Sequence, residues 1–375
     1  MRILVLIHEF PPVGGGGGRA AEDICTVLAR RGHELTVLTA HLRGLPREET
    51  RGGLRIIRLA SLRTQPYKAG LPAMAAFVLA GLGAGYRFIR RWRPEVIHVH
   101  FAVPAGAAAR VLSQLTGVPY VLTAHLGDVP GGVPEKTGGW FRWLYPFTPP
   151  IWRGAKKVVA VSEYTRMLAL KYYPVDVRVI PNGVDLKALT PATLSIHRPP
   201  AIVFAGRFMP QKNPVGLVET LARVRDLPWT CTMLGDGPLR KQVEETIAAH
   251  GLEGRFRLPG WVTPEEVLAC FAESDLLFMP SLSEGLPVVG VQALAMGLAI
   301  VANKVGGFVE LVEPGCNGSL AEPGDREALT TALRTLLSDP VALEKARRLS
   351  RDLARRFDIE SVADDYEAIF REAVG

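Results

Sequence analysis

Three stretches of the chain combine residue types and spacings suited to an anionic, hydroxyl-rich ligand. Ser281-Leu282-Ser283-Glu284-Gly285-Leu286-Pro287 lies between the apolar run Leu276–Met279 and a helical pattern, Pro287–Met296, closed by Gly297. Glu284 is therefore expected in a loop at a helix N-terminus. A carboxylate there can accept hydrogen bonds from sugar hydroxyls, and the helix N-terminus suits phosphate. A simple helix cap would use the same residue type. Upstream, Gly206-Arg207-Phe208-Met209-Pro210-Gln211-Lys212 follows the run Ala201–Ala205. Arg207 can take phosphate oxygens bidentately, and Lys212 adds a mobile point charge. Together they can neutralise a departing diphosphate, the work a divalent metal does elsewhere. A solvated basic loop is the alternative.

The third stretch is Gly14-Gly15-Gly16-Gly17-Gly18, after the first apolar run and before a helix. Glycines let backbone N–H groups close on an anion, and a helix start adds a favourable dipole. A flexible surface loop would look the same. A dinucleotide fingerprint would need glycine at position 19 and an acid ending the second strand. Arg19 and Thr39-Ala40 stand there, so a nicotinamide cofactor fits poorly.

Alternating strands and helices must position these loops. In the first half, strands are expected at Ile3–Ile7, Leu35–Thr39, Arg55–Leu59, Val96–Val99, Tyr120–Thr123, Lys157–Val161 and Val177–Ile180. Helices are expected at Ala20–Arg31, Ala73–Arg91, Pro104–Thr116 and Glu163–Tyr172. After the Pro181-Asn182-Gly183 turn signal and a proline-rich linker, Leu189–Pro200, the series restarts. Strands then fall at Ala201–Ala205, Trp229–Leu234, Phe256–Leu258, Leu276–Met279, Ile300–Ala302 and Gly318–Ala321. The helices between them are Asn213–Val224, Pro238–His250, Pro264–Glu273 and Pro287–Met296; Arg326–Ser338, Val341–Phe357 and Ile359–Glu372 follow. Such alternation indicates α/β architecture with parallel sheets covered on both faces. Two doubly wound domains follow, residues 1–188 and 200–357, with a closing helix in 358–375. Facing each other, they would form a cleft between their strand ends, where such sheets bind ligands.

The bulk numbers agree. With 375 residues the chain suits two domains of moderate size. Its 44 basic and 37 acidic residues leave +7, which suits an anionic ligand or membrane surface and is too weak to indicate nucleic acid. Cys25, Cys231, Cys270 and Cys316 are widely spaced, with no CxxC pair, so neither a zinc site nor a disulfide framework is expected. The apolar start is too short for a signal peptide, and a cytoplasmic location is expected. Leu71–Ile89 approaches membrane-spanning length, but Pro72, Gly81, Gly83 and Gly85 favour a buried crossover helix.

Taken in order, these motifs resemble glycosyltransferase family 4, a family of retaining enzymes with the GT-B fold. The resemblance covers nearly the whole chain. It rests on the glycine tract, Ala124-His125, Val161-Ser162-Glu163, Ile180-Pro181-Asn182-Gly183-Val184-Asp185 and Gly206-Arg207 with Lys212. Leu234-Gly235-Asp236-Gly237-Pro238, Leu258-Pro259-Gly260-Trp261-Val262 and Ser283-Glu284-Gly285-Leu286-Pro287 complete it.

The resemblance implies two Rossmann-like domains facing across a cleft, with the last helix returning to the first domain. It implies that Glu284, with Gly285 and Leu286 beside it, holds hydroxyls of the transferred sugar. Arg207 and Lys212 would hold the donor diphosphate, Gly15 and Gly16 would lie against donor phosphate and acceptor, and His125 would reach the sugar. The backbone around Pro259 and Gly260 would read the base. The family signature's second Glu falls eight positions after Glu284, where this chain has Gln292. Glutamine offers one acceptor without charge, which weakens a ribose contact by roughly 1 kcal/mol.

No cofactor or metal is expected beyond the nucleotide-sugar substrate, and no protein nucleophile stands out. The departing phosphate oxygen can take the acceptor's proton. Asp128 is read as an acceptor-side contact or a plain loop residue. His98 and His100, alternating on a buried strand, are read as structural. Tyr86–Arg93 and Trp140–Tyr145 with Trp152-Arg153 mix aromatic and basic residues, which suits an anionic membrane surface at the inner face. An inward-packed aromatic face would give the same pattern. Expected partners are thus a nucleotide-sugar donor and a glycan or lipid-linked acceptor. A non-catalytic nucleotide-sugar-binding protein and a nucleotide-sugar epimerase remain the alternatives.

Overall fold

The computed structural model describes residues 1–66, 69–133, 139, 141–189 and 194–375. Trp140 of the aromatic-basic stretch and residues 190–193 of the expected linker lie outside them. The chain divides into two compact units, Met1–Gly183 with Ile359–Gly375, and Val184–Asp358.

The first unit is built on eight strands: β1 (Arg2–Leu6), β2 (Glu34–Ala40), β3 (Glu48–Arg51), β4 (Leu54–Leu59), β5 (Val96–His100), β6 (Tyr120–Ala124), β7 (Lys157–Ala160) and β8 (Val177–Val179). Their order is β3-β4-β2-β1-β5-β6-β7-β8. All neighbours pair in parallel except β3, which runs antiparallel to β4. Alternate side chains enter opposite cores. Ile3, Val5, Val37 and Val121 pack with Ile24 and Leu28 of the helix Gly16–Arg30 and with Val362, Tyr366 and Phe370 of the closing helix Ile359–Val374. Leu4, Leu6, Ile97 and Leu122 face Phe77, Leu112 and Trp152. The closing helix is also tied by Arg31 to Glu360, Asp364 and Glu367.

The second unit has six parallel strands: β9 (Ala201–Ala205), β10 (Thr230–Leu234), β11 (Phe256–Gly260), β12 (Leu276–Met279), β13 (Ala299–Asn303) and β14 (Gly318–Ala321). The order is β11-β10-β9-β12-β13-β14. These strands read as short apolar runs because both sheet faces are covered; Phe204, Met233, Phe278 and Val301 are fully buried.

Most expected elements appear, with ends shifted by a few residues. Three local differences have physical causes. The helix expected from Ala20 starts at Gly16, capped by Gly15, so the glycine tract forms its first turn. A Cβ at Gly17 would lie 2.7 Å from Phe101 Cζ, and one at Gly18 would lie 2.5 Å from the Glu9 carbonyl oxygen. Only residues without Cβ let this turn sit so close. The helix expected from Pro104 starts at Ala107, after an irregular turn over Ala102–Gly106. The edge strand β3 was not expected, since Glu-Glu-Thr-Arg has no apolar run. Its hairpin turns on Gly52 and Gly53, at φ of 57° and 79°.

The helix Leu71–Trp92 is long and apolar enough, by length and composition, to cross a membrane. Here it is the crossover from β4 to β5, burying Ala73, Phe77, Gly81, Gly85 and Ile89 along one stripe. A Cβ at Gly85 would lie 2.8 Å from Leu112 Cδ1, so glycine permits close packing on the helix Ala107–Thr116.

Candidate functional site

In the unit Val184–Asp358 the strand order reverses between β9 and β12. Open α/β sheets hold ligands outside the carboxyl ends of strands at such a reversal. The loop after β9 carries Arg207 and Lys212, and the loop after β12 carries Glu284. Lys212 Nζ donates to Glu284 Oε1 at 2.5 Å. Glu284 is only 5% exposed, so its carboxylate is held largely out of water and depends on this cation. The helix Val288–Ala295 follows from Pro287 with no side-chain cap. The Glu284 carboxylate thus goes to Lys212 rather than to the helix end.

Several residues fix this geometry. The Lys212 stem lies over Gly206, where a Cβ would meet Cδ at 3.5 Å. Gln211 Nε2 donates to the Ser283 carbonyl at 2.8 Å, and Leu282 N donates to the Gln211 carbonyl at 2.7 Å. Buried Asn303, ending β13, donates to the Pro280 and Ser281 carbonyls at 3.0 and 3.1 Å. Gly307 N donates to the Gly285 carbonyl. A Cβ on Gly306, at φ 53°, would overlap the Glu284 carbonyl oxygen. Gln211, Asn303, Gly306 and Gly307 were not anticipated; the paired glycines after an apolar run were the available signal.

The remaining expected residues of this unit occupy neighbouring strand ends. Arg207 is half-buried just past β9. Gly260 ends β11, and its carbonyl accepts from Gly235 N at 2.9 Å. Pro259 is exposed and Gly260 buried, with Trp261 exposed beside them. Gly285 is half-buried and Leu286 buried in the Glu284 loop. Gln292 lies half-buried in the helix Val288–Ala295, and Gly297 closes that helix at φ 69°.

In the unit Met1–Gly183 with Ile359–Gly375 the strand order reverses between β1 and β5. Gly15 and Gly16 are exposed at the helix start after β1. His125 follows β6, and its Nδ1 would be 3.3 Å from a Cβ on Gly17. Its Nε2 lies 2.9 Å from His100 Nδ1, and its ring packs on Phe101 with centroids 4.6 Å apart. Burial pushes the His125 imidazole down to about 4, against an opposing pull from Glu9. His125 is therefore neutral near pH 7.

Asp128 is 2% exposed and turned to the backbone. Its Oδ1 accepts from His125 N at 3.1 Å and its Oδ2 from Ala102 N at 2.6 Å. It joins the loops after β5 and β6 and thereby holds the His125 backbone. His98 and His100 are fully buried, and the His98 ring packs tilted against Tyr366 and edge-on against Phe370, with centroids 5.0 and 5.1 Å apart.

The chain matches two protein-family models in succession. "Glycosyltransferase Family 4" covers residues 14–188, and "Glycosyl transferases group 1" covers residues 188–355. It is 28% identical over 387 residues to the glycogen synthase of Mycobacterium tuberculosis, covering 97% of this chain and 92% of that protein. Sucrose-phosphate synthase from Thermosynechococcus elongatus superposes with a TM-score of 0.87 at 21% identity, covering 99% of this chain and 98% of that one. Anabaena HepE in complex with UDP-glucose gives 0.79 at 20% identity, covering 99% of each chain. The motif order, two parallel α/β sheets with loops at their reversal points, and these matches converge: the chain belongs to glycosyltransferase family 4 and is a glycosyltransferase of the GT-B fold.

Proposed function

We propose that the protein moves a hexose-type sugar from a nucleotide-diphosphate donor to a hydroxyl of a glycan, lipid-linked or small-molecule acceptor. Transfer retains the anomeric configuration and uses no metal ion. The observation that carries this reading is the Lys212–Glu284 pair at the strand-order reversal of the second unit. In this reading the carboxylate serves sugar hydroxyls and the neighbouring cation serves the diphosphate. A UDP-glucose complex of the similar HepE and the glycogen synthase relative support a glucose-type donor.

In this account Arg207 and Lys212 take the negative charge that develops on the departing diphosphate. Glu284, with Gly285 and Leu286, orients the sugar, and neutral His125 adds a hydrogen bond to it. Gly15 and Gly16 lie against donor phosphate and acceptor, Pro259 and Gly260 meet the base, and Gln292 meets the ribose. The bond from the anomeric carbon to diphosphate oxygen breaks while a bond to the acceptor oxygen forms on the same face. The acceptor's proton passes to the departing phosphate oxygen, so no protein nucleophile is consumed.

We place the enzyme in the cytoplasm, peripheral to an anionic inner membrane face. Exposed Leu71, Leu79 and Tyr86 share the helix Leu71–Trp92 with Arg90 and Arg91, and Trp143 and Phe147 are also exposed. Cosedimentation with anionic vesicles at low salt checks this; no binding rejects it. Transfer itself is tested with UDP-glucose and other nucleotide sugars in EDTA. Glycoside formation with nucleoside diphosphate release supports the reading; an epimerised donor, or binding without turnover, overturns it.

A further inference from the structure

Three histidines of the first unit form a connected column. His98 and His100 project from the same face of β5, with ring centroids 4.2 Å apart. His100 stacks with His125 at 5.2 Å. Polar contacts run along the column. His100 Nδ1 lies 2.9 Å from His125 Nε2, His98 Nε2 lies 3.0 Å from Thr123 Oγ1, and Thr123 Oγ1 lies 3.2 Å from Tyr366 OH. The column thus reaches the closing helix Ile359–Val374.

Each buried imidazole has one nitrogen without a hydrogen-bond partner among the described residues: Nδ1 of His98 and Nε2 of His100. Burial holds both rings neutral, well below the usual histidine range. A neutral imidazole carries one N–H and one lone pair. Orphaned buried N–H groups are rarer than under-satisfied acceptors. The unpartnered nitrogens are therefore the bare ones, and the protons sit on His98 Nε2 and His100 Nδ1. His98 donates to Thr123, and His100 donates to His125 Nε2. His125, also neutral, must then carry its own proton on Nδ1, the atom facing Gly17 of the glycine tract.

We propose that His100 is a positioning residue that fixes His125 as its Nδ1–H tautomer, so that a neutral donor N–H is presented beside the glycine tract. This rests on the reading above that His125 touches the transferred sugar. It assigns His125 a donor's role toward a sugar oxygen and excludes it as the base for the acceptor hydroxyl. Asp128 holds the His125 backbone while His100 sets the ring's proton, so position and tautomer have separate supports.

The test is a two-bond 1H–15N correlation spectrum of protein with 15N-labelled histidine near pH 7. His125 is expected with protonated Nδ1 and bare Nε2, and with the opposite assignment absent. A His125 signal from the Nε2–H tautomer overturns the proposal without any variant. His100→Leu removes the donor at similar volume and should mix the His125 tautomers. It should lower kcat by about tenfold, the worth of one neutral hydrogen bond, with donor KM unchanged. His100→Asn places an amide N–H near the lost Nδ1 and should restore kcat to within about threefold. Unmixed tautomers and parent kcat in His100→Leu also overturn it. If instead His125→Ala turns over at the parent rate while the spectrum shows Nδ1–H, the sugar contact fails and the tautomer assignment stands.

Discussion

Lys212 Nζ donates to Glu284 Oε1 across the two loops at which the strand order of the second unit reverses. Neither side chain is free to act as a lone charge. Glu284 is nearly buried, and Gln211, Asn303 and Gly307 hold its loop by hydrogen bonds to its carbonyls. Removing one partner leaves the other as an uncompensated, largely buried charge. Lys212→Met and Glu284→Leu should each lower stability by about 3 kcal/mol, and the double variant should cost clearly less than the sum. Urea unfolding of the four proteins measures this; additive costs would mean that the pair contributes no coupling.

In the proposed reaction Glu284 orients the sugar and Arg207 takes charge from the departing diphosphate. Glu284→Ala and Arg207→Ala should each reduce turnover by about a hundredfold or more, the usual effect of losing one transition-state contact. Initial rates with saturating donor check this. Parent rates in both variants would remove these residues from the mechanism.

Gln292 stands where the family signature has its second Glu. Gln292→Glu should tighten nucleoside-diphosphate binding by about fivefold, since a charged acceptor gains roughly 1 kcal/mol over a neutral one. Calorimetric titration reads the change directly. A shift of several orders of magnitude, or weaker binding, would mean that Gln292 does not meet the ribose.

The glycine tract separates packing from binding. Gly15 has open space around an added Cβ, whereas one on Gly17 would meet Phe101 and His125. Gly15→Ala should lower the melting temperature only slightly, through the poorer fit of alanine at an N-cap, while raising donor KM. Gly17→Ala should lower both stability and kcat. Equal behaviour of the two variants in melting and kinetics would contradict the placement of Gly15 against the donor.

Burial lowers His98 to about 3 and His125 to about 4. Below an unfolded value near 6.5, the unfolded chain binds protons that the folded column refuses. Stability therefore rises with pH across this window, is complete above about 6.5, and falls as pH drops toward 4 and then 3. Each histidine adds a slope of about 1.4 kcal/mol per pH unit within its window. Urea midpoints between pH 4 and 7 should show this, with a shallower slope in His98→Gln. Equal slopes would mean that His98 is not buried neutral.

Much of this was legible in the sequence, for identifiable reasons. Apolar runs buried on both faces gave the strands, and the glycine- and proline-marked loops named Arg207, Lys212 and Glu284 separately. Their pairing was not legible, because β9 and β12 are neighbours in space and far apart in sequence. The alternation of His98 and His100 put both on one face of a strand, but only the fold brings His125 against them. Asp128 shows the same limit: the sequence marks a loop aspartate but not the two backbone N–H groups from which it accepts. The edge strand β3 was missed because its polar side chains carry no burial pattern, although Gly52-Gly53 marked its turn.

The stereochemistry of the product tests the central claim most directly. An α-linked nucleotide-diphosphate sugar is supplied with acceptor in EDTA, and the anomeric proton coupling of the new glycoside is read by NMR. The account predicts an α-linked product formed at the same rate with and without the chelator. A β-linked product, or transfer that stops in EDTA, would contradict it.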